Sequence, residues 1–207
     1  DAWVEGMISG FETLKGLIEL PKDWRSGIPA SRSIIASFIR HKPTMLYNRP
    51  EDMESAGKAW PSPRTWDMAS TVHTAARAAK LDKDNELALL QSTVGEGAAL
   101  EYHTWERALD LVDPEYAIKN SSTVKFPKRS DQVFAMLVSV VAYAKTRLTP
   151  NIWDACWEIL GRAAELGHAD LAALPARMLH ESRAAGMSTP VDIKKFVPIL
   201  QAAGLIK

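Results

Sequence analysis

Apolar residues recur through most of this chain at intervals of three and four, the spacing that turns one face of an α-helix towards a core. Residues 31–42 carry Ile34, Ile35, Phe38 and Ile39 on one stripe, and Pro43 ends or bends the helix they predict. The stretch from Asn48 to Pro63 holds three prolines and a glycine and reads as a long loop. A helix is predicted next from Arg64 to about Lys80, with Ser62 as its N-cap and Pro63 as its first residue. Asp84 or Asn85 then caps a helix through Leu87, Leu90, Val94, Leu100 and Trp105. Gly95 and Gly97 lie inside that pattern. Each costs roughly 1 kcal/mol against alanine within a helix, so a break or a close helix–helix approach is expected there.

The second half continues the pattern. Asp113-Pro114 starts a short helix ending near Asn120, and the polar, basic stretch 120–129 is a surface connection and candidate subdomain boundary. Residues 131–146 are apolar on most faces, which predicts a central, buried helix. Thr149-Pro150 begins another, with Trp153, Trp157 and Leu160 inward and a stop at Gly167. Residues 169–185 form the next, stopping at Gly186. Thr189-Pro190 starts the last, which Pro198 splits. Residues 1–30 are the least regular. Trp3, Met7, Phe11, Leu14, Leu17 and Ile18 suit a helical or mixed opening, which Pro21, Gly27 and Pro29 interrupt. No segment alternates with period two, and no repeat stands out. The fold class expected is all-α.

Composition narrows the function classes. The 207 residues are 46% hydrophobic and 24% charged, with 25 basic and 25 acidic side chains. Zero net charge argues against a dedicated nucleic-acid binder. No apolar run approaches the roughly 20 residues of a membrane span, and no signal peptide is evident. The single cysteine, Cys156, excludes an intrachain disulfide and a cysteine-rich metal site, and suits a reducing cytoplasm. Its apolar neighbours read as core, making it a buried thiol rather than a nucleophile. The first residue is Asp1, which suggests a fragment of a longer protein.

Motifs for self-contained chemistry are missing: no phosphate loop, no Gly-x-Gly-x-x-Gly, no His-Glu-x-x-His and no Gly-x-Ser-x-Gly. The five histidines fall in separate segments. His103 with Glu101 and Glu106 reads better as a solvated face than as a metal cluster, and so does His73 near Arg77. Trp153 and Trp157, one turn apart, suit a core. Arg64 is the residue out of place. A cation in the first helical turn meets free N–H groups and a positive dipole end, unless it turns away or an anion joins it. A helix N-terminus with an arginine can hold phosphate. Trp60 and Trp66, which flank it, can shape such a pocket or simply pack. The plainer alternative is an ion pair with Asp67, Glu51, Asp52 or Glu54.

The run Ala59-Trp60-Pro61-Ser62-Pro63-Arg64-Thr65-Trp66-Asp67-Met68-Ala69 resembles the C-terminal lid region of MoxR-type AAA+ ATPases, whose members carry a small-Ser-Pro-Arg motif at the head of a lid helix. Pro-Ser-Pro-Arg followed by Thr/Ser-Trp is similar to a bacterial branch with a longer lid. The apolar stretch from Ser33 to Leu46 matches the first lid helix, and Val94-Gly95-Glu96-Gly97-Ala98-Ala99 also looks like that branch. The likeness covers roughly residues 24–118. It implies that Arg64 is a sensor reaching the γ-phosphate of ATP, with Ser62 beside it in the nucleotide site. It further implies ATP and Mg bound on an upstream ATPase core, a hexameric homo-oligomeric ring, remodelling of a partner protein that can carry a von Willebrand A-type domain, and a cytoplasmic setting. The phosphate loop, acidic metal-binding strand, first sensor and arginine finger of that core are not in this chain, so it should not hydrolyse ATP alone.

The expected organisation is therefore a linker from the core (1–30), a lid-like helical bundle subdomain (31–120) and a C-terminal helical extension (121–207). The competing expectation is a stand-alone helical interaction module with no nucleotide role, in which the aliphatic, tryptophan-rich helices of 131–166 dock a partner. An all-α enzyme using scattered histidines is a third.

Overall fold

A computed structural model describes residues 2–9, 20–52, 57–202 and 204–206. The fold is all-α: helices α1 (Ala2–Ser9), α2 (Ile28–His41), α3 (Pro63–Ala78), α4 (Lys83–Val94), α5 (Glu96–Arg107), α6 (Pro114–Lys119), α7 (Ser130–Thr146), α8 (Pro150–Ala163), α9 (Ala169–His180) and α10 (Val197–Ala202), with no strand among the described residues. No described helix is long and apolar enough to cross a membrane. Of the apolar residues expected to open the chain, Phe11, Leu14, Leu17 and Ile18 lie outside the described residues.

Local chemistry explains most boundaries. Pro29 does not interrupt a helix but sits in the first turn of α2, where the missing N–H is not needed. Ser62 and Thr65 form a capping box at the head of α3, each side chain serving the other's backbone N–H. The cap of α4 is Asp82 rather than Asp84 or Asn85, its carboxylate accepting from the Asn85 N–H at 2.9 Å. Asp113 and Thr149 cap α6 and α8 as expected. The predicted break between α4 and α5 falls at Gly95, with φ +84° and ψ 162°. After α8 a wide turn, Ala164–His168, contains Gly167 at φ +88°. A 3-10 turn, Val191–Phe196, leads into α10, so the last segment is divided just ahead of Pro198.

Two apolar clusters hold the molecule. One gathers Phe38, Trp66, Leu90, Tyr102 and Trp105 from α2 to α5. The other centres on α7, where eleven of seventeen residues are buried, and includes Trp153, Trp157, Leu179 and Phe196. Ala117 of α6 belongs to the second cluster. The halves are not separate beads. The packing of α2 on α7 is the most extensive between any two helices, and Ala135 of α7 joins the first cluster. Ser33 and Ser37 of α2 are buried, their hydroxyls donating to the carbonyls of Pro29 and Ser33, each at 2.8 Å. Asp131, heading α7, accepts from the Trp105 indole at 3.0 Å and pairs with Arg129 at 2.6 Å. Arg40 lies 4.3 Å from the centre of the Phe134 ring.

Candidate functional site

Arg64 occupies the second position of α3 and is exposed. The capping box consumes its neighbours. The Ser62 hydroxyl accepts from the Thr65 N–H at 3.2 Å, the Ser62 carbonyl accepts from the Trp66 N–H at 2.9 Å, and Pro63 has no N–H. The Arg64 amide is therefore the first-turn donor without an acceptor among the described residues. Its guanidinium likewise makes no hydrogen bond or ion pair with a described residue. Asp67 is taken by Arg32 at 2.8 Å, and Glu54 lies outside the described residues. A helix N-terminus carrying an extra cation is unfavourable by about 0.3–1 kcal/mol in isolation.

The flanking tryptophans pack rather than frame Arg64. Trp66 is 3% exposed and donates to the Met45 carbonyl at 2.7 Å, while Trp60 meets Tyr47 edge-on with centroids 5.6 Å apart. Trp66 thus ties Met45, just before the loop, to α3, and Trp60 joins the two ends of the loop. Ser62 is buried and committed to the cap. The same loop is pinned at Gly95, where a Cβ would lie 2.4 Å from the Ala59 carbonyl oxygen. A cleft of about 720 Å³ lies beneath this contact, lined by Trp60, Gly95, Glu96 and Glu101 among others. A second, of about 830 Å³, lies between the halves, with Ser31, Thr74 and Arg77 on one wall and Tyr143 and Arg147 on the other. Arg64 lines neither.

The largest departure from the sequence expectation is His73. It is not on a solvated face but fully buried, where α3, α4 and α5 meet. Its Nε2 lies 2.8 Å from Glu86 Oε1 and 3.3 Å from Glu106 Oε1, and points squarely at neither. Its Nδ1 is 3.2 Å from the Ser31 hydroxyl, which in turn contacts Thr74 Oγ1 at 2.8 Å. Glu106 is nearly buried too, and receives Arg77 Nη2 at 2.8 Å and the Tyr102 hydroxyl at 3.0 Å. Lys83 reaches Glu86 Oε2 at 2.6 Å. Of the trio weighed as a metal cluster, Glu101 is exposed and pairs with Lys42, whereas His103 is buried with no hydrogen-bond partner for its Nε2 among the described residues.

The electrostatics follow from this geometry. Burial pushes both carboxyls up, but contacts with His73, with Lys83 for Glu86, and with Arg77 outweigh it and hold Glu86 and Glu106 below the usual carboxylate range. Burial beside Glu106 holds the Tyr102 phenol well above its usual value. His73, Glu86 and Glu106 present ligand atoms within 4.8 Å of one another, as a metal site would. Arg77 and Lys83 already neutralise both carboxylates, however, and Arg77 sits on the Glu106 oxygen that a cation would need. The arrangement is that of a closed ion network clamping three helices. Cys156 is buried as expected, with its thiol pushed up to about 12 by burial. Trp153 and Trp157 pack edge-to-face in the core, 5.6 Å apart.

No protein-family model, curated protein or solved structure matches this chain.

Proposed function

We propose that this chain is the lid and C-terminal helical region of a MoxR-like AAA+ ATPase, and that Arg64 is the arm it extends to the γ-phosphate of ATP held on an upstream core. The observation that carries the reading is the state of Arg64. It is an exposed cation at a tightly capped helix N-terminus, with neither its guanidinium nor its amide engaged by a described residue. Such a pairing places positive charge and a backbone donor together where a phosphate oxygen can meet both. The surroundings support a rigid arm. Trp66 is locked into the core at the head of α3, and the ion network around His73 fixes the same helix further along. The Ser62 hydroxyl shapes the arm by accepting from the Thr65 N–H, and it stands 3.0 Å from Thr65 Oγ1.

In this reading ATP and Mg bind the core, and the chain contributes charge to the transition state without supplying nucleophile, base or metal ligands. A ring, a remodelled partner protein that can carry a von Willebrand A-type domain and a cytoplasmic setting complete the proposal, each implied by the motif resemblance to that family. Chemical labelling tests it. In the full reading frame containing this chain, an arginine-selective dicarbonyl should modify Arg64, and a non-hydrolysable ATP analogue with Mg should protect it. Equal labelling with and without the analogue would overturn the sensor role.

A further inference from the structure

We propose that His73 is a proton-controlled clasp: protonated, its imidazole draws the carboxylates of α4 and α5 onto α3, and on losing that proton it lets the three helices loosen. This is independent of the nucleotide reading, because it concerns the interior of the bundle and not the Arg64 surface. Its basis is a division of labour around two buried carboxylates. Arg77 and Lys83 approach Glu106 and Glu86 from the rim, their side chains 45% and 53% exposed. His73, at 0%, approaches from the inside. Two like-charged carboxylates thus converge on a single ring nitrogen, at 2.8 and 3.3 Å. With that nitrogen carrying a proton on a charged ring, both are attracted inward. With a neutral ring, their mutual repulsion is opposed by Arg77 and Lys83 at the rim and, inside, by the uncharged Tyr102 hydroxyl on Glu106.

The groups facing the imidazole can be enumerated by helix. α4 presents Glu86 and, through it, Lys83. α5 presents Glu106 and Tyr102, and α3 itself presents Arg77. From α2 comes the Ser31 hydroxyl, which accepts from Nδ1 when the ring is charged and can turn to donate to Nδ1 when it is neutral. That reversible partner means the clasp weakens without leaving a buried nitrogen stranded. Burial alone would favour the neutral ring. The contacts with Glu106 and Glu86 outweigh it and raise the proton affinity of His73 above its ordinary value of 6.5. A raised histidine stabilises the fold fully below about pH 6.5 and loses that contribution as pH rises through its folded-state value.

The test uses the 207-residue chain. The ring resonances of His73 are followed by NMR from about pH 5.5 to about pH 9, and thermal unfolding of wild type and His73→Gln is compared over the same range. The clasp predicts a His73 midpoint above that of a free histidine, lowered in Glu106→Gln. It also predicts that the Tm advantage of wild type over His73→Gln shrinks as pH rises, by roughly 3–5 °C for each tenfold elevation of proton affinity. The wild-type titration stands even if a variant fails to fold. A midpoint below that of free histidine would overturn the proposal, as would a wild-type advantage independent of pH. So would stabilisation by equimolar zinc that abolishes the titration, which would make the cluster a metal site instead.

Discussion

Replacing Gly95 with alanine should damage this fold more than any other single methyl group added to its surface loops. The residue joins α4 to α5 at φ +84° and ψ 162°, a region that is essentially glycine-only. Holding an L-residue there costs about 1–3 kcal/mol. The new Cβ would also stand 2.4 Å from the Ala59 carbonyl oxygen and 3.2 Å from its carbon. These are backbone atoms that cannot swing aside as a side chain could, and relieving such overpacking adds roughly 1–3 kcal/mol. Taken together, about 3–4 kcal/mol is a fair central figure, which for a chain of this size lowers Tm by roughly 6–15 °C. Gly97, two residues on, provides the internal control. It lies in the first turn of α5, where an added methyl group would meet nothing within 4 Å, so Gly97→Ala should raise stability by up to about 1 kcal/mol. Calorimetry or urea unfolding of the two variants reads both numbers. A Gly95→Ala protein within about 1 kcal/mol of wild type would refute the reasoning, because the loop would then not be pinned at the helix junction.

Two further outcomes follow from burial. Glu86→Ala removes the carboxylate that His73 and Lys83 share and strands charge at the junction of three helices, so it should cost about 3–5 kcal/mol in urea unfolding. Because Glu86 is held below the usual carboxylate range, its contribution is present in wild type above about pH 4.5 and fades as pH falls towards its depressed folded-state value. A Glu86→Ala penalty undiminished in strong acid would contradict this. Cys156, fully buried and with its thiol pushed up to about 12, should react with a thiol reagent at about pH 8 only as the protein unfolds, at a rate that rises with denaturant. Fast labelling of the native chain would show that the α8 core is open.

What the sequence made legible was mostly local. Ser62-Pro63, Asp113-Pro114 and Thr149-Pro150 announce helix starts because a cap and a fixed φ act within four residues, and all three head helices in the structure. Gly95 announced a break for the same reason. The α4 cap is not legible in the same way, because Asp82, Asp84 and Asn85 all carry capping side chains and only the chain's approach selects Asp82. The His73 network was not legible because its partners lie 13 and 33 residues away on other helices. Yet a signal existed. His73 falls on the stripe of Trp66, Ala69 and Ser70, Glu86 precedes Leu90 and Val94 at helical spacing, and Glu106 follows Tyr102 by one turn. Ionisable residues on the buried faces of three helices that come together must find one another or be lost to solvent.

Whether Arg64 acts on ATP is tested most directly by steady-state turnover. In the full reading frame that contains this chain, Arg64→Ala should lower kcat for ATP hydrolysis by about 10²-fold, while the exposed position of the side chain leaves Tm within about a degree or two of wild type. Arg64→Lys should recover part of the loss, since it restores charge without the guanidinium's paired donors. Turnover in Arg64→Ala equal to wild type, or the absence of any ATP hydrolysis in the intact protein, would contradict the claim.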